Sequence, residues 1–213
     1  MTAEKGSFLV VEGNSGVGKT TQLSKLSKLL DWTTFIEPGG TEFGLGIRDI
    51  VQGVNRKYEI DPYAALLAYS ASRANLIRTE IRPRLEKGED VLLDRYWYST
   101  FAYQGAQGVS KPIVWAVSWL ATGGLRPDAV LHYDLIPEIA LQRKAGNSDV
   151  DRFDIMKIEF HRRVRANYRQ LARIPRVLPG MPDKWITIDA SGSIDQIYNN
   201  SVSILKELGF LNV

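Results

Sequence analysis

The chain has 213 residues, 44% hydrophobic and 24% charged, with a net charge of +3; that is the size of one α/β domain able to bury a full core. It has no cysteine, and its two histidines, His132 and His161, stand far apart, which excludes disulfides, thiol chemistry and Cys- or His-based metal sites. No apolar run approaches the ~18 residues of a membrane span, and Met1–Gly6 shows no apolar signal region, so a cytoplasmic protein without a membrane partner is expected.

In chain order, 7–12 reads as a buried strand, short, apolar and ended by a turn signal. Gly13-Asn14-Ser15-Gly16-Val17-Gly18-Lys19-Thr20 follows, and 19–30 reads as a helix. Strand, Gly-rich loop and helix is the context in which GxxxxGK[ST] cradles phosphate. The glycines let successive N–H groups turn inward, and the helix adds its positive end. Lys19 would reach the β- and γ-phosphates, and the Thr20 hydroxyl would hold Mg²⁺.

Residues 33–36 read as a second strand, closed by Glu37-Pro38-Gly39-Gly40, with a helix over about 44–52. A helical pattern covers 62–87, where Pro62 suits the first turn, Gly88 the stop, and Pro83 a kink or shortening. A third strand, 90–94, ends in Asp94, where an acid completing the Mg²⁺ site would lie. Residues 95–105 are dense in aromatic and polar groups.

A helix is expected over 110–121, with Trp115 and Trp119 on one face as core. A strand follows at 129–134, a short helix over 137–143, a polar loop at 146–149, and a long amphipathic helix from Phe153 to about Leu171. The fifth strand is 185–188, and Ser193 with Gln196 makes a capping-box start for the last helix. Strands alternating with helices imply an α/β fold of P-loop NTPase type, a parallel sheet of about five strands with helices on both faces. Ligands in such folds sit at the carboxyl ends of the strands.

Asp94-Arg95-Tyr96, Ser99 and Ala102-Tyr103-Gln104-Gly105 resemble the signature of thymidylate kinases. So do Glu37-Pro38-Gly39-Gly40-Thr41 with Arg48, Ile81-Arg82-Pro83 before Gly88, and Asp151-Arg152 leading into Phe160 and Tyr168. The match runs through nearly the whole chain, in order. It implies one domain, 1–213, with a P-loop at 13–20, an acceptor region over about 37–105 and a short mobile lid at about 143–152.

The resemblance implies ATP-dependent phosphorylation of dTMP to dTDP with Mg²⁺, held by Thr20 and Asp94, and a homodimer through helices including 62–82. Gly13, Asn14, Ser15, Gly16, Val17, Gly18, Lys19, Thr20 and Thr21 would bind ATP, with Arg143 against adenine. Arg48 and Arg95 would grip the acceptor phosphate. Arg73 would hydrogen-bond a thymine carbonyl, Tyr69 would stack on the base, Tyr103 would crowd the sugar 2′ position, and Gln104 would lie near base or sugar. Glu37 and Ser99 belong to the same acceptor motifs. Lys19, Arg95, Asp94 and the lid's Arg152 would carry the catalysis.

The chain also departs from the pattern. Ser15 stands where the family usually has Asp or Glu, which opens acceptor choice beyond dTMP. Gly16 replaces a P-loop arginine of some members, and the lid has Lys144-Ala145-Gly146 where others have more arginines. Ser72 and Ile36 also replace commoner residues. Two other readings compete. A deoxynucleoside kinase would use Glu12 or Glu37 as base, against which Arg48 and Arg95 argue as two cations for an acceptor phosphate. A P-loop nucleic-acid-binding or regulatory protein would use the basic 162–173 helix; no nucleic-acid partner is expected.

Overall fold

The structure is a computed structural model and describes residues 5–53, 58–144 and 152–211. Its strands are β1 (Phe8–Gly13), β2 (Thr33–Ile36), β3 (Val91–Asp94), β4 (Ala129–Asp134) and β5 (Lys184–Asp189). Its helices are α1 (Lys19–Leu30), α2 (Glu42–Gln52), α3 (Pro62–Leu76), α4 (Arg82–Glu86), α5 (Trp97–Ala106), α6 (Lys111–Thr122), α7 (Pro137–Lys144), α8 (Ile158–Arg173) and α9 (Ile194–Glu207).

All strand pairs are parallel, in the order β2-β3-β1-β4-β5. The side-chain period of two divides each central strand between two cores. Phe8 and Val10 pack with Val91, Leu93 and Val130 under α3, α5, α6 and α8. Leu9 and Val11 pack with Leu92, Ala129 and Leu131 under α1 and α9. Both faces are buried, so β1 reads as a continuous apolar run. Each of these fully covered Phe, Val and Leu side chains contributes roughly 1.5–3 kcal/mol of transfer free energy. Because β1 lies between β3 and β4, its carboxyl end is the switch point of the sheet, and the Gly-rich loop emerges there.

The structure adjusts the sequence expectations at several places. The helix expected from residue 44 starts at Glu42, because Thr41 caps it by accepting from the Gly44 N–H at 3.0 Å. The helix expected over 62–87 is interrupted by a π-helical turn, Ile77–Ile81. A proline has no backbone N–H to donate, and its ring clashes with the carbonyl four residues back. The wider turn meets both demands by placing Pro83 in the first turn of α4. Most of the 95–105 stretch, from Trp97 on, forms α5, and its aromatic residues are buried in the core.

The long helix begins at Ile158, not Phe153, and Phe153 instead stacks on Phe160. Trp115 packs on Trp97 with ring centroids 5.0 Å apart, but Trp119 is 53% exposed, since no described element covers that side of α6. The capping box forms as read: the Gln196 N–H donates to Ser193 Oγ at 3.2 Å and the Ser193 N–H to Gln196 Oε1 at 2.8 Å. Most of the lid expected at 143–152 falls at 145–151, outside the described residues. No helix among the described residues is long and apolar enough to cross a membrane.

Candidate active site

The Gly13–Thr20 loop wraps the N-terminus of α1, whose N-cap Gly18 has φ 87°. L side chains rarely adopt that conformation, and glycine does so freely. Lys19 is buried, and its ammonium donates to Asp94 at the end of β3. Burial, followed by the charge of Arg95, lowers the Lys19 pKa, and Asp94 partly restores it. Two cations therefore flank one carboxylate at the carboxyl ends of adjacent strands. Such a concentration of positive charge favours a polyanion entering between them.

Arg95 is held in the left-handed region, φ 68°. A non-glycine residue there costs on the order of 1–3 kcal/mol, a cost met by its surroundings. Its N–H donates to the Val11 carbonyl at 2.9 Å, and its Nη1 donates to the Gly13 carbonyl at 3.1 Å and Ser99 Oγ at 3.0 Å. Its guanidinium lies 5.5 Å from the centre of the Tyr103 ring.

Beneath Arg95 lies Glu12, fully buried. Its carboxylate accepts from the Tyr96 N–H (2.7 Å), the Ser99 N–H (3.1 Å), Ser99 Oγ (2.7 Å) and Tyr168 Oη (2.8 Å). Burial pushes its pKa up, and Arg95 and these donors pull it down. Ser99 thus accepts from Arg95 while donating to Glu12, which fixes the guanidinium's direction. Of the two carboxylates considered as a base, Glu12 is filled with donors. Glu37 is ion-paired with Arg73, Oε2 to Nε at 2.6 Å.

Beside Arg95 a cleft is lined by Glu37, Pro38, Tyr69, Arg73, Ser99, Thr100, Tyr103, Gln104 and Phe153. The cleft brings together most of the residues read as acceptor-binding. Arg73 and Glu37 are each 3% exposed. Arg73 Nη2 donates to Thr100 Oγ1 at 3.1 Å, and neither Arg73 Nη1 nor Glu37 Oε1 has a hydrogen-bond partner among the described residues. Burial lifts the Glu37 pKa to about 7, with Arg73 pulling it back. Buried polar atoms left open at a cleft are suited to pairing with a ligand.

Tyr103 Oη donates to Asn14 Oδ1 at 3.1 Å, and Asn14 Nδ2 to the His161 carbonyl at 3.2 Å, which ties the phosphate loop to α5 and α8. Arg48 does not line this cleft; its Nη1 donates to the Pro38 carbonyl at 3.1 Å. Arg143 Nη1 donates to the Ala190 carbonyl at 2.7 Å and Nη2 to the Ser191 carbonyl at 2.9 Å, bridging α7 to the loop after β5. The Arg152 guanidinium lies 4.5 Å from the centre of the Phe153 ring.

The residues present fit Mg²⁺ in a limited way. Mg²⁺ takes hard oxygen ligands and is usually held by one or two carboxylates plus substrate phosphates and water. Asp94 and the exposed Thr20 supply that oxygen set at the mouth of the phosphate loop. The described residues contain no group of three or more acidic, histidine or cysteine side chains for an all-protein site.

Sequence reading passed over Thr100, Phe153 and Asp154. Thr100 lies inside the 95–105 motif and could have been found there. Asp154 contacts Ser15, 139 positions away, and no local pattern marks that contact. The Arg162, Arg163 and Arg165 cluster divides three ways: to Glu138 (2.6 Å), to the Ala106 carbonyl (3.1 Å) and to Asp134 (2.7 Å).

The family described as Thymidylate kinase matches residues 11–200. The chain belongs to the thymidylate kinase family. Among individual relatives, the thymidylate kinase of Deinococcus radiodurans is 39% identical over 211 residues, spanning 96% of this chain and 98% of that one. The one from Carboxydothermus hydrogenoformans is 39% identical over 178 residues, spanning 81% and 87%. The one from Thermoanaerobacter sp. is 34% identical over 209 residues, spanning 95% and 98%. The matched region contains both the phosphate loop and the cleft beside Arg95.

Proposed function

We propose that the protein transfers the γ-phosphoryl group of ATP to dTMP, giving dTDP. The observation that carries this is the placement of Lys19 and Arg95 beside Asp94, one in a phosphate-binding loop and the other at a second cleft lined by aromatic and polar side chains. Two phosphate esters repel each other, so an enzyme that joins them needs cations on both sides. The acceptor is already an anionic phosphate, nucleophilic at neutral pH, so no strong base is required, and both candidate carboxylates are engaged elsewhere.

The loop N–H groups and Lys19 hold the β- and γ-phosphates. Thr20 and Asp94 would hold Mg²⁺, which would supply charge neutralisation on the phosphate oxygens. Arg95, aimed by Ser99 and Glu12, grips the acceptor phosphate; Arg48, held on the Pro38 carbonyl outside the cleft, would have to leave that bond to serve as the second cation. Tyr69 stacks on the base and Arg73 donates to its carbonyl, with Glu37 as the group that fixes Arg73. Tyr103 closes against the sugar and Gln104 lies beside base or sugar. Arg143 frames the adenine site and Arg152 reaches the transferring phosphate. The loop at 13–20, the acceptor region at 37–105 and the lid at 143–152 act as one cytoplasmic unit over 1–213. It works as a homodimer and needs no nucleic acid.

Release of ADP measured with dTMP, dUMP, dGMP and UMP tests the proposal. dTMP should be the best acceptor. dUMP, which lacks only the base methyl group, should follow at a measurable rate, and Ser15, without the charge of the usual acid, should leave sugar selectivity relaxed enough for UMP to turn over as well. Absence of turnover with both dTMP and dUMP overturns the reading.

A further inference from the structure

Asn14, second in the phosphate loop, is 4% exposed, and its side-chain amide is a junction. Its Oδ1 accepts from the Ser15 N–H at 2.8 Å, and its Nδ2 donates to the His161 carbonyl at 3.2 Å. A backbone N–H can only donate and a carbonyl can only accept, so these two partners fix which way round the amide lies. The atom that meets Tyr103 Oη at 3.1 Å is therefore the oxygen, and the phenol donates to it. The His161 ring nitrogen Nδ1 lies farther off, 3.4 Å from the same oxygen. The Tyr103 ring is also bounded at its sides. Phe153 meets it edge-on with centroids 4.9 Å apart, and the Arg95 guanidinium lies 5.5 Å from its centre.

We propose that Asn14 sets the sugar selectivity of the acceptor site by holding the Tyr103 hydroxyl, as a positioning residue that acts through the ring. The inference rests on the reading of the cleft as the dTMP site. Arg95 is bonded to the phosphate loop at the Gly13 carbonyl, whereas Arg73 is bonded to Thr100 and Glu37. A nucleotide with its phosphate on Arg95 and its base on Arg73 has its sugar between them. Tyr103 lies against Arg95 and lines the same cleft, one helical turn after Ser99 and Thr100. A 2′-hydroxyl there needs space. A ring packed at its sides but free at its tip can tilt to provide it. A ring whose tip is tied to the phosphate loop tilts only by breaking a buried hydrogen bond, and the group left unpaired carries the desolvation cost. Ser15, the next loop residue, donates its hydroxyl to Asp154, so the loop acts on the sugar through Asn14 and Tyr103.

Steady-state kinetics with dUMP and UMP, which differ only at the 2′ position, test this on the wild type, Asn14→Ala, Asn14→Asp, Tyr103→Phe and the Asn14→Ala/Tyr103→Phe double variant, with thermal melts recorded alongside. The readout is the ratio of kcat/KM for dUMP to that for UMP. Asn14→Ala and Tyr103→Phe should each lower the ratio by about 3- to 10-fold, the range of one net hydrogen bond. The double variant should lower it no further than either single one, because both remove the same bond. Asn14→Asp keeps the accepting oxygen, and its added charge acts on both acceptors alike, so it should retain most of the wild-type ratio. Where the wild type turns over no UMP, the expected result is UMP turnover in the two single variants, and its absence overturns the proposal. An Asn14→Ala variant that loses dUMP and UMP turnover in equal proportion would show that the amide only joins the loop to α8, and would overturn it too. So would an unchanged ratio in Tyr103→Phe, which reads the same bond should Asn14→Ala fail to fold, or a double variant whose loss is the product of the two single losses. A wild type that turns over neither dTMP nor dUMP would instead overturn the reading of the cleft itself.

Discussion

Arg95 combines a strained backbone with an aimed side chain. Glycine accepts its φ without strain, so Arg95→Gly separates the two effects. Turnover with dTMP should fall by ~10³-fold or more, the scale of a lost phosphoryl-transfer arginine. The melting temperature should change little, because relief of strain offsets the lost hydrogen bonds. Steady-state kinetics and a thermal melt on the same preparation check both halves. A collapse in stability would mean that the guanidinium holds the fold rather than the phosphate.

Glu37 gives a pH dependence. Its pKa is about 7 in the folded chain and near 4.5 in the unfolded one. The folded state holds this proton more tightly, so the stabilisation is complete below about pH 4.5 and is lost as pH rises through 7. Function runs the opposite way, because only the ionised carboxylate pairs fully with Arg73. The wild-type kcat/KM for dTMP should fall as pH drops below about 7, and Glu37→Gln should lack that limb. The substrate's own phosphate titrates near pH 6 but does so equally in both, so the difference between them is the readout.

Among elements, α7 and the phosphate loop depend on one missing side chain. Gly16→Ala places a methyl group 2.0 Å from the Ala140 carbonyl oxygen of α7 and forces a positive φ on alanine. Backbone cannot swing aside as a flexible side chain can, so α7 and the loop must separate. ATP affinity should drop by at least about 10-fold, with a stability loss on the order of 1–3 kcal/mol. Calorimetry with ATP and chemical denaturation measure the two. Near-normal ATP binding would show that the contact is dispensable. The π-helical turn before Pro83 shows the same logic at a helix. There the backbone widens by one turn rather than break, and the long helix keeps its course past a residue that cannot donate.

At the scale of the whole molecule, α3 and α6 leave an apolar surface open. Leu67 is 59% exposed, Leu120 70% and Trp119 53%, with Tyr63 and Ile113 on the same two helices also exposed. A second copy of the chain is the occupant that the family resemblance suggests. Leu67→Asp with Leu120→Asp should convert a dimer to a monomer in analytical ultracentrifugation while leaving the melting transition cooperative. A wild type that sediments as a monomer at tens of micromolar would remove this expectation.

The phosphate-loop motif and the sheet's class were legible in the residues themselves. Both rest on short-range rules: GxxxxGK[ST] between an apolar run and a helix, and alternating strand and helix periods. The grouping of Arg73 and Tyr69 with Arg95 came from the family resemblance, and their four-residue spacing added only that the two share a helix face. What only the folded chain decided are contacts between residues far apart in sequence. Glu12 gathers Ser99 and Tyr168 from 87 and 156 positions away, and Asp154 meets Ser15 across 139. Strand and helix periods specify which way a side chain faces. Only the packing of both layers on the sheet determines what it meets there, and so which carboxylate is sealed beneath an arginine and which tyrosine the phosphate loop holds.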